Sequence, residues 1–332
     1  MRPRPRSLRW SSLLLTALVL SAPARAATTT ETRFLLGTVV TITLSGLSDP
    51  RAKPALDAAF EAVAAVDQEM ARRPGTALWR LNEAGGGVVS PELAEVLGAS
   101  LEWARRTRGA FDPTVAPLLD LWDLLAGPHP PPSPVALRGA LGRVGWERVR
   151  WNPAERRVDL GGTALDLGGI AKGYALDRAA AALRRAGVRD FLVDAGGDVL
   201  VAGSKDGTPW RVGIQHPRDS DALLRVVEPR DGVLLTSGDY QRAFSWQGET
   251  FHHLLDPRTG QPVRSCQAVT VWAPRPTAVP SAAVFLLGPE AGLALLASIP
   301  GTEALVVDAR GQVRETAGFR RVAPARRDKD AP

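Results

Sequence analysis

Cysteine is nearly absent. Cys266 stands alone among 332 residues, which excludes an intrachain disulfide even in an oxidising compartment. It follows a turn and precedes an apolar strand with no base beside it, so it reads as a packing or surface residue rather than a catalytic thiol. Histidine is scarce too. There are four, none at the spacing of a zinc site, and His129 and His216 sit in proline-flanked loops. No internal repeat, no G-x-S-x-G elbow, no Walker A loop and no G-x-G-x-x-G fingerprint occurs. Lysine supplies only four of the 41 basic residues.

Balanced charge is the next thing missing, and only in appearance. The formal net charge is +6 and the isoelectric point about 10.2. Arg2, Arg4, Arg6, Arg9 and Arg25 all fall in the first 26 residues, where there is no acid. Beyond them 36 basic residues face 35 acidic ones, which removes the support for a nucleic-acid partner. A hydrophobic fraction of 45% and a charged fraction of 23% describe a soluble globular chain with enough length for a sizeable core.

The N-terminus has the layout of a secretory signal: a basic Met1–Arg9, an apolar Trp10–Leu20 too short for a stable membrane span, then Ala24-Arg25-Ala26. Residues 1–26 are expected to be cleaved, the alternative being an uncleaved anchor. With no cysteine near the cleavage site, the product is expected free in the periplasm and not as a lipoprotein.

Helices and strands alternate without a βαβ rhythm, which favours an α+β fold. Strands are expected at Phe34–Leu44, Phe191–Val193, Val199–Ala202, Trp210–Ile214, Leu223–Val227, Gly232–Thr236, Thr250–Leu255, Val269–Trp272 and Ala304–Asp308. Helices are expected at Pro54–Met70, Pro91–Arg106 with Ser90 as N-cap, Ile170–Ala186, Pro280–Leu287 and Pro289–Ala297. The proline-rich Gly127–Pro134 is linker-like.

Four segments could carry chemistry. Asp166-Leu167-Gly168-Gly169-Ile170-Ala171-Lys172-Gly173 joins a strand to a helix; glycines, helix N-terminal amides and Lys172 suit a phosphate, and a tight turn with a solvated lysine suits the residues equally. Asp194–Asp198 is a glycine turn that favours a structural hairpin. Thr236-Ser237-Gly238-Asp239-Tyr240 offers a hydroxyl and a carboxylate, or simply a capped turn. His252-His253-Leu254-Leu255 runs into the turn Asp256-Pro257-Arg258-Thr259-Gly260; consecutive strand residues face opposite sides, so one histidine can line a site as a general base.

Taken in order, these segments resemble the FAD:protein FMN transferase (ApbE-like) family, over roughly residues 33–310. The match includes Leu36-Gly37-Thr38, Phe111-Asp112-Pro113-Thr114-Val115, the stretch 165–177, DAGGD, TSGDY and the stretch 252–262. The resemblance implies a two-lobed α+β fold with mixed, mostly antiparallel sheets, spanning residues 27–320, ahead of a charged, mobile tail at 321–332. It implies an extracytoplasmic enzyme that uses FAD and Mg²⁺ and delivers FMN to a partner flavoprotein, a membrane electron-transport subunit by analogy. By the same resemblance, Leu36, Ala110, Phe111, Asp112, Asp166, Lys172 and Leu254 match flavin- or FAD-contacting positions. Gly169 matches a metal-binding carbonyl and His253 the histidine needed for transfer. Two departures stand out. Ala278 and Ala282 occupy the positions of a metal-binding Asp and Thr, leaving Ser281 as a neutral oxygen nearby, and Arg72 stands near where the family often has an aromatic. A non-catalytic FAD-binding protein and an FAD pyrophosphatase are the alternatives these departures leave open.

Overall fold

The computed structural model describes residues 28–277 and 279–322. The expected signal peptide, Ala278 and all but the first two residues of the expected tail lie outside those residues; the described chain ends in a short helix, Phe319–Val322.

The backbone of the fold is one eight-stranded sheet whose strands follow chain order from edge to edge. We number them β1 (Thr28–Leu35), β2 (Thr38–Ser45), β3 (Phe191–Ala195), β4 (Asp198–Ala202), β5 (Gly232–Gly238), β6 (Cys266–Ala273), β7 (Glu303–Asp308) and β8 (Val313–Glu315). Each pairs antiparallel with the next, and the antiparallel character expected from the sequence holds in every strand pairing among the described residues. The period-two alternation of the strands decides the layering. Val193, Leu235, Val269, Val271 and Val306 point into one core, with Val40 and Ile42 of β2 on the same side. Val199, Val201, Leu234, Trp272 and Leu305 point into a second core on the other face.

Six helices are inserted between β2 and β3: α1 (Asp49–Met70), α2 (Ala77–Ala84), α3 (Pro91–Arg106), α4 (Ala116–Trp122), α5 (Pro134–Leu141) and α6 (Gly168–Arg185); α1, α2, α3 and α6 contribute to the core on the first face. The apolar stripes of α1 and α6 pack together over the sheet, and α7 (Ser281–Leu287) joins the same core through Val284 and Phe285. A hairpin, Val212–His216 with Asp219–Val227, covers the second face through Val212, Ile214 and Val227. A third apolar cluster forms a smaller lobe. Leu118 and Trp122 of α4 and Leu137 of α5 meet Phe244 and Phe251 of the hairpin Ala243–Trp246/Glu249–His252.

Several expected boundaries move. The single strand expected over Phe34–Leu44 is a hairpin, because Leu36 (φ 57°) and Gly37 (φ 67°) both adopt the left-handed conformation of a two-residue turn. The helix expected from Pro54 starts at Asp49, after Ser48, and carries Pro54 inside it. The linker-like Gly127–Pro134 connects nothing separate: α4 and α5 on either side of it pack in the same small cluster. The strand expected over Thr250–Leu255 ends at His252.

Candidate active site

The HHLL segment lies where the two lobes meet. Phe251 and Leu255 belong to the small cluster, whereas Leu254 belongs to the main core. His252 is 3% exposed and stands edge-on to Phe285, ring centroids 6.0 Å apart. Its Nδ1 accepts the Leu254 N–H at 3.3 Å. Burial holds its pKa down at about 4, so it is a neutral, structural ring.

His253 is arranged differently. Its Nδ1 lies 3.0 Å from the main-chain oxygen of Gln241. A carbonyl can only accept, so Nδ1 carries the proton and Nε2 is left with its lone pair. Burial first, then the charges of Arg242 and His252, bring its pKa down to about 4. At neutral pH the ring is therefore an unprotonated base with a fixed tautomer. Of the two adjacent histidines, His252 is the more deeply covered and His253 is half-buried.

The glycine segment caps α6. The Asp166 carboxylate accepts the Gly168 N–H at 2.8 Å and the Arg72 Nε–H at 2.6 Å, while Arg72 Nη1 reaches Asp120 at 2.6 Å. Lys172 Nζ contacts the Asp198 carboxylate at 2.6 Å. Asp198 is 4% exposed and also accepts the Thr236 N–H at 2.9 Å. The DAGGD turn is thus a hairpin turn, as expected, and also the anchor of Lys172. Asp194 beside it closes the turn by accepting the Gly197 N–H at 2.8 Å, and burial pushes its pKa up.

The remaining pieces are drawn together by close approach. A Cβ on Gly169 would lie 2.8 Å from Phe111 Cε2 and 3.8 Å from Ala282 Cβ. A Cβ on Gly173 would lie 2.9 Å from the Pro276 oxygen. Glycine at these positions lets α6 seat against the Phe111 loop and the segment entering α7. Ser281 Oγ pairs with Ser237 Oγ at 2.8 Å, tying α7 to the TSGDY motif.

Some expected roles narrow. Both Asp112 oxygens are committed: one accepts the Thr114 N–H and hydroxyl, each at 2.7 Å, and the other the Trp146 N–H at 3.1 Å. Asp112 is buried, with its pKa raised by that burial, and its bonds shape the loop that carries the buried Ala110 and Phe111. Leu36 is displayed on the β1–β2 turn. Leu254 is 5% exposed and mostly core. Asp198 as the partner of Lys172 and the Gln241 carbonyl that orients His253 emerge only in the folded chain. DAGGD carried a signal for the first, whereas a main-chain oxygen leaves none.

Lys172 on α6, Asp198 on β4 and Ser237 on β5 thus belong to the main sheet and its covering helix, while His253 follows the separate small hairpin. The ApbE family model matches residues 36–306. The chain belongs to the ApbE family. An FAD:protein FMN transferase of Treponema pallidum is 34% identical over 278 residues, covering 76% of this chain and 77% of the relative. One of Klebsiella pneumoniae is 30% identical over 287 residues, covering 81% of each. Among solved structures, the ApbE protein of Thermotoga maritima superposes with a TM-score of 0.81 at 30% identity, over 89% of this chain and 99% of that one. The flavin transferase ApbE from Vibrio cholerae gives 0.77 at 25% identity, over 90% and 99%.

Proposed function

We propose that this ApbE-family enzyme transfers FMN from FAD to a Thr or Ser hydroxyl of a partner flavoprotein and releases AMP. The observation that carries the reading is His253, a neutral imidazole with Nδ1–H tied to the Gln241 carbonyl and Nε2 open. In the reaction, the acceptor hydroxyl oxygen attacks the FMN-side phosphorus of the FAD diphosphate. A new P–O bond forms, the bond from that phosphorus to the bridging oxygen breaks, and AMP leaves with that oxygen. His253 Nε2 takes the hydroxyl proton. In this reading Lys172, held in one place by Asp198, and the Gly169 N–H, the amide of the first α6 turn without an acceptor among the described residues, meet the phosphate charge.

Mg²⁺ is implied by the family, and the described residues do not fit it. The donors present are the Gly169 carbonyl and the Ser281 hydroxyl, and the latter is already paired with Ser237. The Ala282 side chain contributes no oxygen, and no cluster of three His, Cys, Asp or Glu exists among the described residues. A hard dication favours carboxylates, so no step is routed through a metal. The signal-like first 26 residues support a periplasmic enzyme, and the family's usual partners support a membrane electron-transport subunit as acceptor.

The test incubates the purified protein with FAD and an acceptor flavoprotein. In-gel flavin fluorescence of the acceptor and AMP released in equal amount are expected, and both should be lost in His253→Ala. AMP with free FMN and an unlabelled acceptor would instead identify a pyrophosphatase. FAD binding without AMP would identify a non-catalytic carrier.

A further inference from the structure

We infer that Arg242 contacts the diphosphate of FAD and supplies the site's uncompensated positive charge. The inference rests on the FAD-using reading above and concerns a residue outside the motifs that suggested it.

Charge bookkeeping around the site singles this residue out. Lys172 is paired with Asp198, Arg72 with Asp166 and Asp120, and Arg218 bidentately with Asp239. Each of these cations is already balanced by a carboxylate. Arg242 is exposed and makes no ion pair or side-chain hydrogen bond to another described residue. A dinucleotide brings a negative charge on each phosphate, and among the described residues no cluster of carboxylates or histidines stands ready to hold a cation that would offset them. A guanidinium meets phosphate oxygens with charge and with directed N–H donors together.

The position is fixed from three sides. Arg242 directly follows Gln241, whose carbonyl orients His253. Its charge is felt at the His253 ring. Its Nη2 lies 3.5 Å from where a Cβ on Gly37 would stand, so the side chain reaches from the base to the turn that displays Leu36. The backbone at Arg242 is left-handed, with φ 42°. A non-glycine residue there is unfavourable, and glycine or asparagine would meet the backbone requirement more easily. The arginine side chain is therefore what the position supplies.

The experiment measures FAD affinity by flavin fluorescence in EDTA for the unaltered protein, Arg242→Asn and Arg242→Lys. Asparagine tolerates the left-handed backbone, and matching melting temperatures establish that the variants fold. Arg242→Asn is expected to bind FAD about tenfold more weakly. Arg242→Lys should recover a clear part of that loss, and the salt dependence of binding should be shallower in Arg242→Asn than in the unaltered protein. FAD affinity unchanged in Arg242→Asn, or Arg242→Lys no tighter than Arg242→Asn, would overturn the assignment of Arg242 alone. An unaltered protein that binds no FAD overturns this assignment together with the reading it rests on.

Discussion

His252 couples protein stability to pH, and the size of the effect can be worked from its surroundings. The ring is 3% exposed, and burial lowers its pKa from 6.5 to about 4. In the unfolded chain it takes up a proton below about pH 6.5; in the folded protein it resists until about pH 4. The unfolded state therefore binds the extra proton across that window. The stability contributed by the neutral ring is complete above pH 6.5, falls as pH drops, and is lost by pH 4. A shift of this size corresponds to about 3 kcal/mol. His252→Gln removes the titrating group and keeps an oxygen to accept the Leu254 N–H. Urea unfolding of both proteins at pH 7 and pH 4 gives the comparison. The loss of stability between those values should be about 3 kcal/mol smaller in His252→Gln. Carboxylates titrate in the same range, but they are common to both proteins and cancel in the difference. Equal losses in the two proteins would refute the claim that this ring is held neutral by burial.

Other expectations follow from the same geometry. Gly169→Ala places a methyl 2.8 Å from Phe111 Cε2, so it should destabilise the protein by about 1–3 kcal/mol and weaken FAD binding, as read by thermal melting and fluorescence titration. Asp198→Ala strips the partner from Lys172 and the acceptor from the Thr236 N–H; with the lysine partly exposed, a cost of about 2 kcal/mol is expected, with a drop in transfer rate. Ala278→Asp with Ala282→Thr supplies an acid and a hydroxyl at the two sequence positions where the family resemblance expects metal ligands. Transfer by the double variant should become Mg²⁺-dependent and EDTA-sensitive where the unaltered protein is not.

Much of the frame was legible in the sequence. The Ser90 N-cap and the α3 helix it opens appear as expected, with the Leu93 N–H on the Ser90 hydroxyl at 3.1 Å, because capping depends on residues three apart. Pro289–Ala297 likewise matches in full. The turn at Leu36-Gly37 was missed because leucine is an unusual occupant of a left-handed position, and the strand pattern ran on through it. Pro54 misled for a related reason: proline favours a helix start, yet the apolar stripe of α1 begins a turn earlier with Ala52, buried in the same core. The roles of Asp112 and Asp166 narrowed because a carboxylate in a motif does not reveal whether a backbone amide or an arginine already occupies it.

The sequence by itself determined the family and the order of the motifs, since short-range pattern and residue chemistry suffice for those, and the choice of His253 over His252 as the base candidate came from the family resemblance. Tertiary structure decided the state of that base. Its tautomer depends on a carbonyl twelve residues away in the chain, and its low pKa on burial and on Arg242. Tertiary structure also decided which cations are balanced. Lys172 and Asp198, or Arg72 and Asp166, become partners only when the sheet and its covering helices bring distant segments within hydrogen-bond reach, and charge compensation is a property of distance rather than of sequence order.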